Sequence, residues 1–166
     1  MKNQNSTYKE SLYLIFKRYK IPMGVAELLL KRKQELAAKN INEGAIFRTN
    51  FASEADVVKL ESGVLYKIIE EGSGNLPTIE SKVRCHYHGT NIYGEVFDSS
   101  VERGKSADFK ISKLIKGWQE VMPLLKVGSK AKIVIPPDAA YGDQQISKEI
   151  GPHSTLIFEV ELLEIL

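Results

Sequence analysis

Apolar residues are spaced differently in the two parts of the chain, residues 6–52 and residues 60–166. In the first part they recur at helical intervals on both sides of Pro22, a residue suited to the first turn of a helix. The pattern predicts a short helix, a break, and a long helix that ends near Ala52. The positions that carry it are Leu12, Ile15, Phe16, Tyr19, Ala26, Leu29, Leu30, Leu36, Ala37, Ile41, Ala45 and Phe51.

The second part alternates apolar and polar residues with a period of two, which is typical of strands. One short helix is expected from about Lys116 to Met122, where Pro123 ends it. A sheet with one helix packed on it defines an α+β fold, preceded here by an all-α region. We predict a helical N-terminal domain over residues 1–55 and a second domain over residues 56–166. The predicted strands are 64–69, 82–87, 131–135 and 156–162.

Composition is that of an ordinary globular protein, with 43% hydrophobic and 27% charged residues in a chain of 166. The single cysteine, Cys85, excludes an intramolecular disulfide and a zinc site built from several cysteines. Basic residues outnumber acidic ones only in residues 1–55, where Lys31, Arg32 and Lys33 form a run. Such a run is more often the solvated face of a helix, and no aromatic residues alternate with it, so we predict no binding of nucleic acid.

The longest apolar run near the start, Leu12 to Phe16, is too short for a signal peptide core or a membrane span. The sequence therefore predicts a cytoplasmic protein without a membrane segment. The alternative is a periplasmic location, if the native N-terminus carried a signal peptide that has been removed.

Four stretches in the second part carry candidate chemistry: VRCHYHGT, GEVFDSS, LIKGWQEVMPLLKVGSKAKIVIPPDAAYG and GPHSTLIFEVELLEIL. In this order and spacing they closely resemble the FKBP-type peptidyl-prolyl cis-trans isomerases over about residues 60–166. The long basic helix ahead of them resembles the bacterial Mip and FkpA subgroup, in which an N-terminal helical domain dimerises. The resemblance implies an antiparallel half-barrel wrapped around the short helix, with an apolar pocket between them.

Matching the motifs residue by residue implies two sets of pocket residues. Trp118 would form the floor, while the backbone amide of Ile115 and the hydroxyl of Tyr141 would donate hydrogen bonds to a bound prolyl peptide. The implied catalytic residues are Phe97, Asp98, Ile115 and Tyr141. The implied substrate-binding residues are Tyr87, Leu114, Trp118, Ile150 and Phe158.

These residue types suit the reaction that the resemblance implies. Rotation about an X-Pro bond has a barrier of roughly 18–20 kcal/mol because it destroys amide resonance. The twisted amide is less polar than the planar one, so an apolar pocket that excludes water favours it. We expect no cofactor and no metal, because the step needs no nucleophile, redox centre or Lewis acid.

Asp98 has three possible roles on sequence grounds. A carboxylate beside Phe97 in an apolar pocket would have a raised pKa, which is the property of a general acid or base. Without the surrounding motifs, a turn or cap residue before Ser99 and Ser100 would be the favoured reading. In the family that it resembles, the carboxylate is a fixed acceptor for a tyrosine hydroxyl, here that of Tyr87, or for a ligand hydroxyl, and we favour this role.

Two other candidate sites, a hydrolase site and a metal site, have less support in the sequence. A hydrolase built on Ser99 or Ser100 lacks the GxSxG turn that exposes a nucleophile, and His153 is expected to be structural. His86 and His88 lie two residues apart, so a strand would place both on the face opposite Tyr87. A dedicated metal site there would need further ligands, which the sequence does not supply.

Three positions depart from the drug-binding eukaryotic members of the family. Ala107 stands where they carry an aromatic ring, Glu149 where they carry an apolar residue, and Ile146 where they carry a polar one. The first change should lower one pocket wall. All three bear on substrate preference and on affinity for macrolide inhibitors, which are expected partners of the family.

We therefore predict an isomerase that acts on proline-containing peptides and unfolded client proteins, and that assists folding. A homodimer is expected through the helical face formed by Leu29, Leu30, Leu36 and Ala37. The alternative is a non-catalytic module or chaperone that binds proline segments. A nucleic-acid-associated factor is a third reading, which rests only on the basic N-terminal region.

Overall fold

The computed structural model describes Arg18 and residues 23–166. The predicted short helix around residues 12–19 lies outside the described residues, apart from Arg18, which is helical. The predicted long helix is α1, Met23–Ala52, and it ends at the predicted residue. Gly44 does not interrupt it, because this glycine is buried where the helix lies against Thr155.

The second part contains seven strands and one short helix among the described residues. The helix is α2, Lys116–Val121, and a 3₁₀ turn over Met122–Leu124 contains Pro123. The strands are β1 (Val58–Lys59), β2 (Leu65–Glu70), β3 (Lys82–Thr90), β4 (Val96–Ser99), β5 (Ala107–Lys110), β6 (Lys130–Ile135) and β7 (Leu156–Ile165). Further 3₁₀ turns span Ile111–Lys113 and Pro137–Ala139.

All strand pairs in the described sheet are antiparallel, in the order β1-β2-β6-β7-β3-β4. Strand β5 pairs with the first half of β3, beside β4 on the second half. The four predicted strands correspond to β2, β3, β6 and β7, and the α+β fold is confirmed. The sequence did not predict β1, β4 and β5, because two to four residues are too few to reveal a period.

The inner face of the sheet packs on α2 and holds the main core. Trp118 and Val121 of α2 are buried there among side chains of β3, β6 and β7. Gly117 allows this close approach, since a Cβ atom at that position would lie 2.6 Å from the Ile135 side chain. The fully buried members include Val83, Cys85, Ile111, Met122, Leu125, Ile133, Ile135, Leu156, Val160 and Leu162.

The outer face carries a second, smaller apolar cluster formed by Leu65, Val134, Ile157 and Phe51. Successive residues of a strand point to opposite faces, so Val134 joins this cluster while its neighbour Ile133 joins the main core. Phe51 comes from the last turn of α1 and is only 3% exposed. The C-terminal end of the long helix is therefore anchored on the sheet.

Candidate functional site

A cavity of about 530 Å³ opens on the inner face, between the sheet and α2. Every side chain that the sequence predicts for the pocket lines it, so the fold brings the whole predicted set together. The predicted members are Tyr87, Phe97, Asp98, Leu114, Ile115, Trp118, Tyr141, Ile150 and Phe158, and the cavity is completed by Phe109, Lys113, Ile146 and Ser147.

Aromatic rings form the floor and two walls of this cavity. Trp118 is 4% exposed and meets Phe158 edge to face, with ring centroids 5.2 Å apart. Phe97 meets Phe158 in the same way at 5.4 Å, and Tyr87 meets Trp118 at 5.8 Å. Edge-to-face contacts of this length are favourable and hold the rings in fixed orientations. The cavity therefore has rigid apolar walls.

Gly89 on β3 makes room for two of these rings. A Cβ atom at this position would lie 2.7 Å from the Phe97 ring and 2.9 Å from the Phe158 ring. Any larger residue on the inner face of β3 would displace both rings. The glycine is therefore part of the pocket although it lines no surface of it.

Asp98 lies at the rim and has both carboxylate oxygens engaged. The Tyr87 hydroxyl donates to Oδ2 at 2.6 Å, and Arg103 donates through Nη1 to Oδ1. The same guanidinium donates through Nη2 to the Tyr87 hydroxyl oxygen at 2.8 Å. Desolvation acts to raise the pKa of Asp98, but these hydrogen bonds from Tyr87 and Arg103 outweigh it and hold the pKa below its usual value. The carboxylate is therefore ionised and fixed in place at neutral pH.

Two donors face the cavity with no acceptor among the described residues. The backbone amide of Ile115 precedes the first residue of α2 and has no protein acceptor, whereas the Ile115 carbonyl accepts from Trp118 at 3.0 Å. The hydroxyl of Tyr141, a residue 36% exposed, is likewise without a protein acceptor. Both residues line the cavity, so the two donors are available to a molecule bound in it.

A tight loop after Tyr141 supplies the remaining wall. Ile150 is 4% exposed, and it lines the cavity together with Ile146 and Ser147. The Ser147 hydroxyl oxygen accepts from the amides of Glu149 and Ile150 at 3.2 and 3.1 Å. These bonds fix the turn that carries Ile150.

The side chains considered for other chemistry have structural partners. His86 and His88 lie on the outer face, where Nδ1 of each contacts the hydroxyl of Ser100 or Ser99 at 3.0 and 2.9 Å. Burial raises the pKa of the Cys85 thiol to about 12, so this cysteine is not a ready nucleophile. In the described part of the chain, His, Cys, Asp and Glu side chains do not gather in groups of three fit for a metal ion.

Sequence reasoning missed four cavity or rim residues: Phe109, Lys113, Ser147 and Arg103. Phe109 lies on β5, a strand too short to reveal a period, and its ring lies 5.7 Å from that of Tyr87. Ala107 itself packs against the core beside Cys85 rather than lining the cavity. Arg103 had no local signal, since the turn after β4 alone brings its guanidinium to Asp98.

The sheet wrapped around one short helix, with this aromatic cavity between them, defines the class of protein. Residues 74–163 match the family described as "FKBP-type peptidyl-prolyl cis-trans isomerase", and the chain belongs to that family. Residues 1–68 match the family described as "Domain amino terminal to FKBP-type peptidyl-prolyl isomerase".

Curated relatives come from bacteria. The chain is 44% identical over 136 residues to the "Probable FKBP-type peptidyl-prolyl cis-trans isomerase" of Haemophilus influenzae, covering 81% of this chain and 56% of that protein. The "FKBP-type 22 kDa peptidyl-prolyl cis-trans isomerase" of Escherichia coli is also 44% identical over 136 residues, covering 82% of this chain and 64% of that protein. The chain thus spans less than two thirds of the length of either relative.

A comparison with solved structures indicates the same family as the comparison of sequences. The crystal structure of FkpA from Escherichia coli superposes with a TM-score of 0.80 at 35% identity, covering 99% of this chain and 74% of that one. These similarities support the Mip and FkpA subgroup that the sequence suggested. Among Arg18 and residues 23–166, no helix combines the length and apolar character that a membrane crossing requires.

Proposed function

We propose that this protein accelerates cis-trans isomerisation of X-Pro bonds in proline-containing peptides and unfolded client proteins. The observation that carries the proposal is a rigid aromatic cavity with two unengaged donors, the Ile115 amide and the Tyr141 hydroxyl. Family membership and the isomerase names of the bacterial relatives support the same activity.

In this proposal the cavity binds the twisted amide better than the planar one. Trp118, Phe97 and Phe158 exclude water from the rotating bond, which removes the solvation that favours the planar ground state. The Ile115 and Tyr141 donors hold the peptide on either side of that bond. No covalent step is required, so the rate gain comes from differential binding alone.

Asp98 acts as a fixed acceptor in this mechanism and moves no proton. Its lowered pKa and its bonds to Tyr87 and Arg103 argue against a general acid or base at this position. Its negative charge also holds the Tyr87 hydroxyl in one direction, so the ring edge of Tyr87 keeps its place against Trp118. Asp98 thus supports the pocket wall.

The activity is tested by following cis-to-trans relaxation of a short X-Pro peptide. Wild type should accelerate the relaxation, whereas Tyr141→Phe should lower kcat/KM by roughly three- to tenfold, the cost of one hydrogen bond, and Asp98→Val should lower it at least as much because it loses two. Tyr66→Phe is the matched control, because Tyr66 lies on β2 and lines no part of the cavity. Absence of any acceleration by wild type would refute the isomerase proposal.

The same peptide separates catalysis from mere binding. Trp118 is the only tryptophan in the chain, so its fluorescence reports occupancy of the cavity. A fluorescence change without acceleration would favour the alternative, a non-catalytic module that binds proline segments. Macrolide inhibitors are proposed to compete for this cavity, and loss of the peptide-induced signal on adding one would support that.

We further propose that α1 forms a homodimer interface. Leu29 is 50% exposed and Leu36 is 40% exposed, and both lie on the face predicted from the sequence with Leu30 and Ala37. Val25 and Leu28 extend the apolar surface toward the start of the helix. In sedimentation, Leu29→Glu should reduce the mass of the particle, whereas Gln34→Glu, an exposed neighbour, should not. Equal masses for wild type and Leu29→Glu would contradict the interface.

The domain boundary near residue 55 remains a proposal, supported by the end of α1 at Ala52 and the start of β1 at Val58. The cytoplasmic location likewise stays a prediction, with the periplasm as its alternative. Cell fractionation with an antibody against the protein decides between the two compartments.

A further inference from the structure

The loop over residues 142–155 has two faces. One face carries Ile146, Ser147 and Ile150 into the cavity. The other face contacts α1, the helix for which the sequence suggests only a dimerisation role. The inference that follows rests on the proposed isomerase function, because it concerns the wall of that same cavity.

The contact with α1 is built around a buried polar side chain. Asn40 is 8% exposed, and its Nδ2 donates to the carbonyl oxygen of Pro152 at 2.8 Å. Gly151 lies against the helix so closely that a Cβ atom there would be 3.1 Å from Asn40 Nδ2 and 3.2 Å from a Leu36 methyl group. Arg48 donates to the Thr155 hydroxyl further along the same helix. The helix thus holds the loop at two points, through Asn40 and Arg48.

The cavity side of the loop is tied to these contact points. Ile150 is followed directly by Gly151 and Pro152, both buried. The amide of Ile146 donates to the Ile150 carbonyl at 3.0 Å, and the amide of His153 donates to the Gly142 carbonyl at 2.8 Å. A closed turn of this kind moves as a unit, so a shift at Pro152 is passed on to Ile150.

We propose that Asn40 is a positioning residue for the active site, through which α1 sets the place of the Ile150 wall. The helix contributes no atom to the cavity itself. Its effect is on binding of the peptide, because Ile150 supplies apolar contact surface and no donor.

The test compares Asn40→Asp with Asn42→Asp in the full chain. Both change one asparagine of α1 to aspartate, but Asn42 is exposed and does not line the recess between α1 and the loop. Asn40→Asp loses the donor to Pro152 and should raise KM for an X-Pro peptide by roughly three- to tenfold, with kcat within about twofold of wild type. Asn42→Asp should leave both constants unchanged.

Hydrogen exchange gives a readout that does not depend on activity. In Asn40→Asp the amides of Ile146 and His153 should exchange roughly three- to tenfold faster than in Asn42→Asp, because their loop is released. The Tyr87 amide on β3 should exchange at the wild-type rate in both variants. Asn40→Ala and Asn42→Ala repeat the comparison without adding a charge, in case Asn40→Asp fails to fold.

Each outcome is informative. Equal exchange in the Asn40 and Asn42 variants overturns the positioning role, and so does a loss confined to kcat. A wild type with no isomerase activity refutes the proposed function, but faster loop exchange in the Asn40 variants would still establish the link between α1 and the loop.

Discussion

On its inner face the sheet packs on α2, a helix of six residues, and on its outer face it packs on the end of α1, a helix of 30 residues. A helix of six residues is about 9 Å long, too short to cover a sheet of seven strands. The uncovered part of the inner face becomes the cavity, and its walls are aromatic rings. The cavity thus exists because α2 is too short to cover the whole inner face of the sheet.

The outer face differs in chemistry as well as in cover. Its apolar residues are few and are capped by Phe51, while the rest of the face is polar. A recess of about 480 Å³ there is lined by His86, His88, Glu159 and Glu161 among others. The ionisable side chains of this recess interact well with water, whereas the inner cavity is walled by aromatic rings packed edge to face. The inner face thus carries both the main core and the aromatic cavity, while the outer face anchors the end of α1.

The largest effect is expected from removing the cap of the outer face. Phe51→Ala should lower the free energy of unfolding by about 3–5 kcal/mol, because it leaves a cavity over Leu65, Val134 and Ile157. Ile46→Ala, in the same helix but 60% exposed, should change it by less than about 0.5 kcal/mol. Denaturant unfolding measures both. Similar values for the two variants would mean that α1 does not stabilise the sheet.

A smaller change in stability, with a loss of activity, is expected on the inner face. Gly89→Ala places a methyl group against the rings of Phe97 and Phe158 and should cost about 1–3 kcal/mol of unfolding free energy. The displaced rings should also lower kcat/KM by about tenfold or more, since the pocket walls lose their orientation. Peptide relaxation and denaturant unfolding are run on the same sample. Full activity in a destabilised variant would separate the rings from catalysis.

Two arginines test whether the ion pair at the cavity rim contributes more to activity than an ion pair elsewhere on the sheet. Arg103 and Arg84 each bridge two side chains, but Arg103 contacts Asp98 and Tyr87 whereas Arg84 contacts Asp108 and Glu164. Arg103→Gln should lower kcat/KM by about two- to tenfold. Arg84→Gln should change it by less than about twofold, because an exposed ion pair contributes little. An equal decrease in kcat/KM for the two variants would mean that the contacts of Arg103 at the cavity rim have no particular role in activity.

The smallest effect concerns the ionisation of Asp98. The pKa of Asp98 is lower in the folded protein than in the unfolded chain, where it is about 4. The ionised carboxylate therefore stabilises the fold above about pH 4. That stabilisation is lost as the pH falls through the lower pKa of the folded protein. The difference in unfolding free energy between wild type and Asp98→Asn should therefore be constant from about pH 7 to 5 and shrink below about pH 4. The value of kcat/KM should not change between about pH 5 and about pH 8. A transition near pH 6 in either quantity would indicate a raised pKa.

Local patterns were enough for most of the fold, whereas the named pocket residues were implied by the resemblance of four stretches to the FKBP family. Tyr87 and Cys85 alternate with His86 and His88, which puts the tyrosine on the inner face and the histidines on the outer one, as the structure has them. Strands β2, β3, β6 and β7 are long enough to reveal their period, and α1 ends at the predicted residue.

Contacts set by the path of the folded chain were beyond such patterns. Arg103 is only five residues from Asp98, but it reaches the carboxylate because the turn after β4 folds back over the rim. Phe109 reaches Tyr87 because β5 pairs with β3. Nothing in the spacing of Asn40 indicates a bond to Pro152, 112 residues away, because that contact is set by the packing of whole elements.

The sequence by itself determined the long helix, the four longer strands and the inward-facing positions on them, since these follow from local period, and the resemblance of its motifs to the family implied which side chains form the pocket. Only the tertiary structure decided that Asp98 is held ionised by Tyr87 and Arg103, and that α1 supports the loop behind Ile150. The first depends on how β3 and the turn after β4 place three side chains together, and the second on a contact between residues 112 positions apart. Hydrogen bonds and desolvation act over a few ångströms in space whatever the separation in sequence.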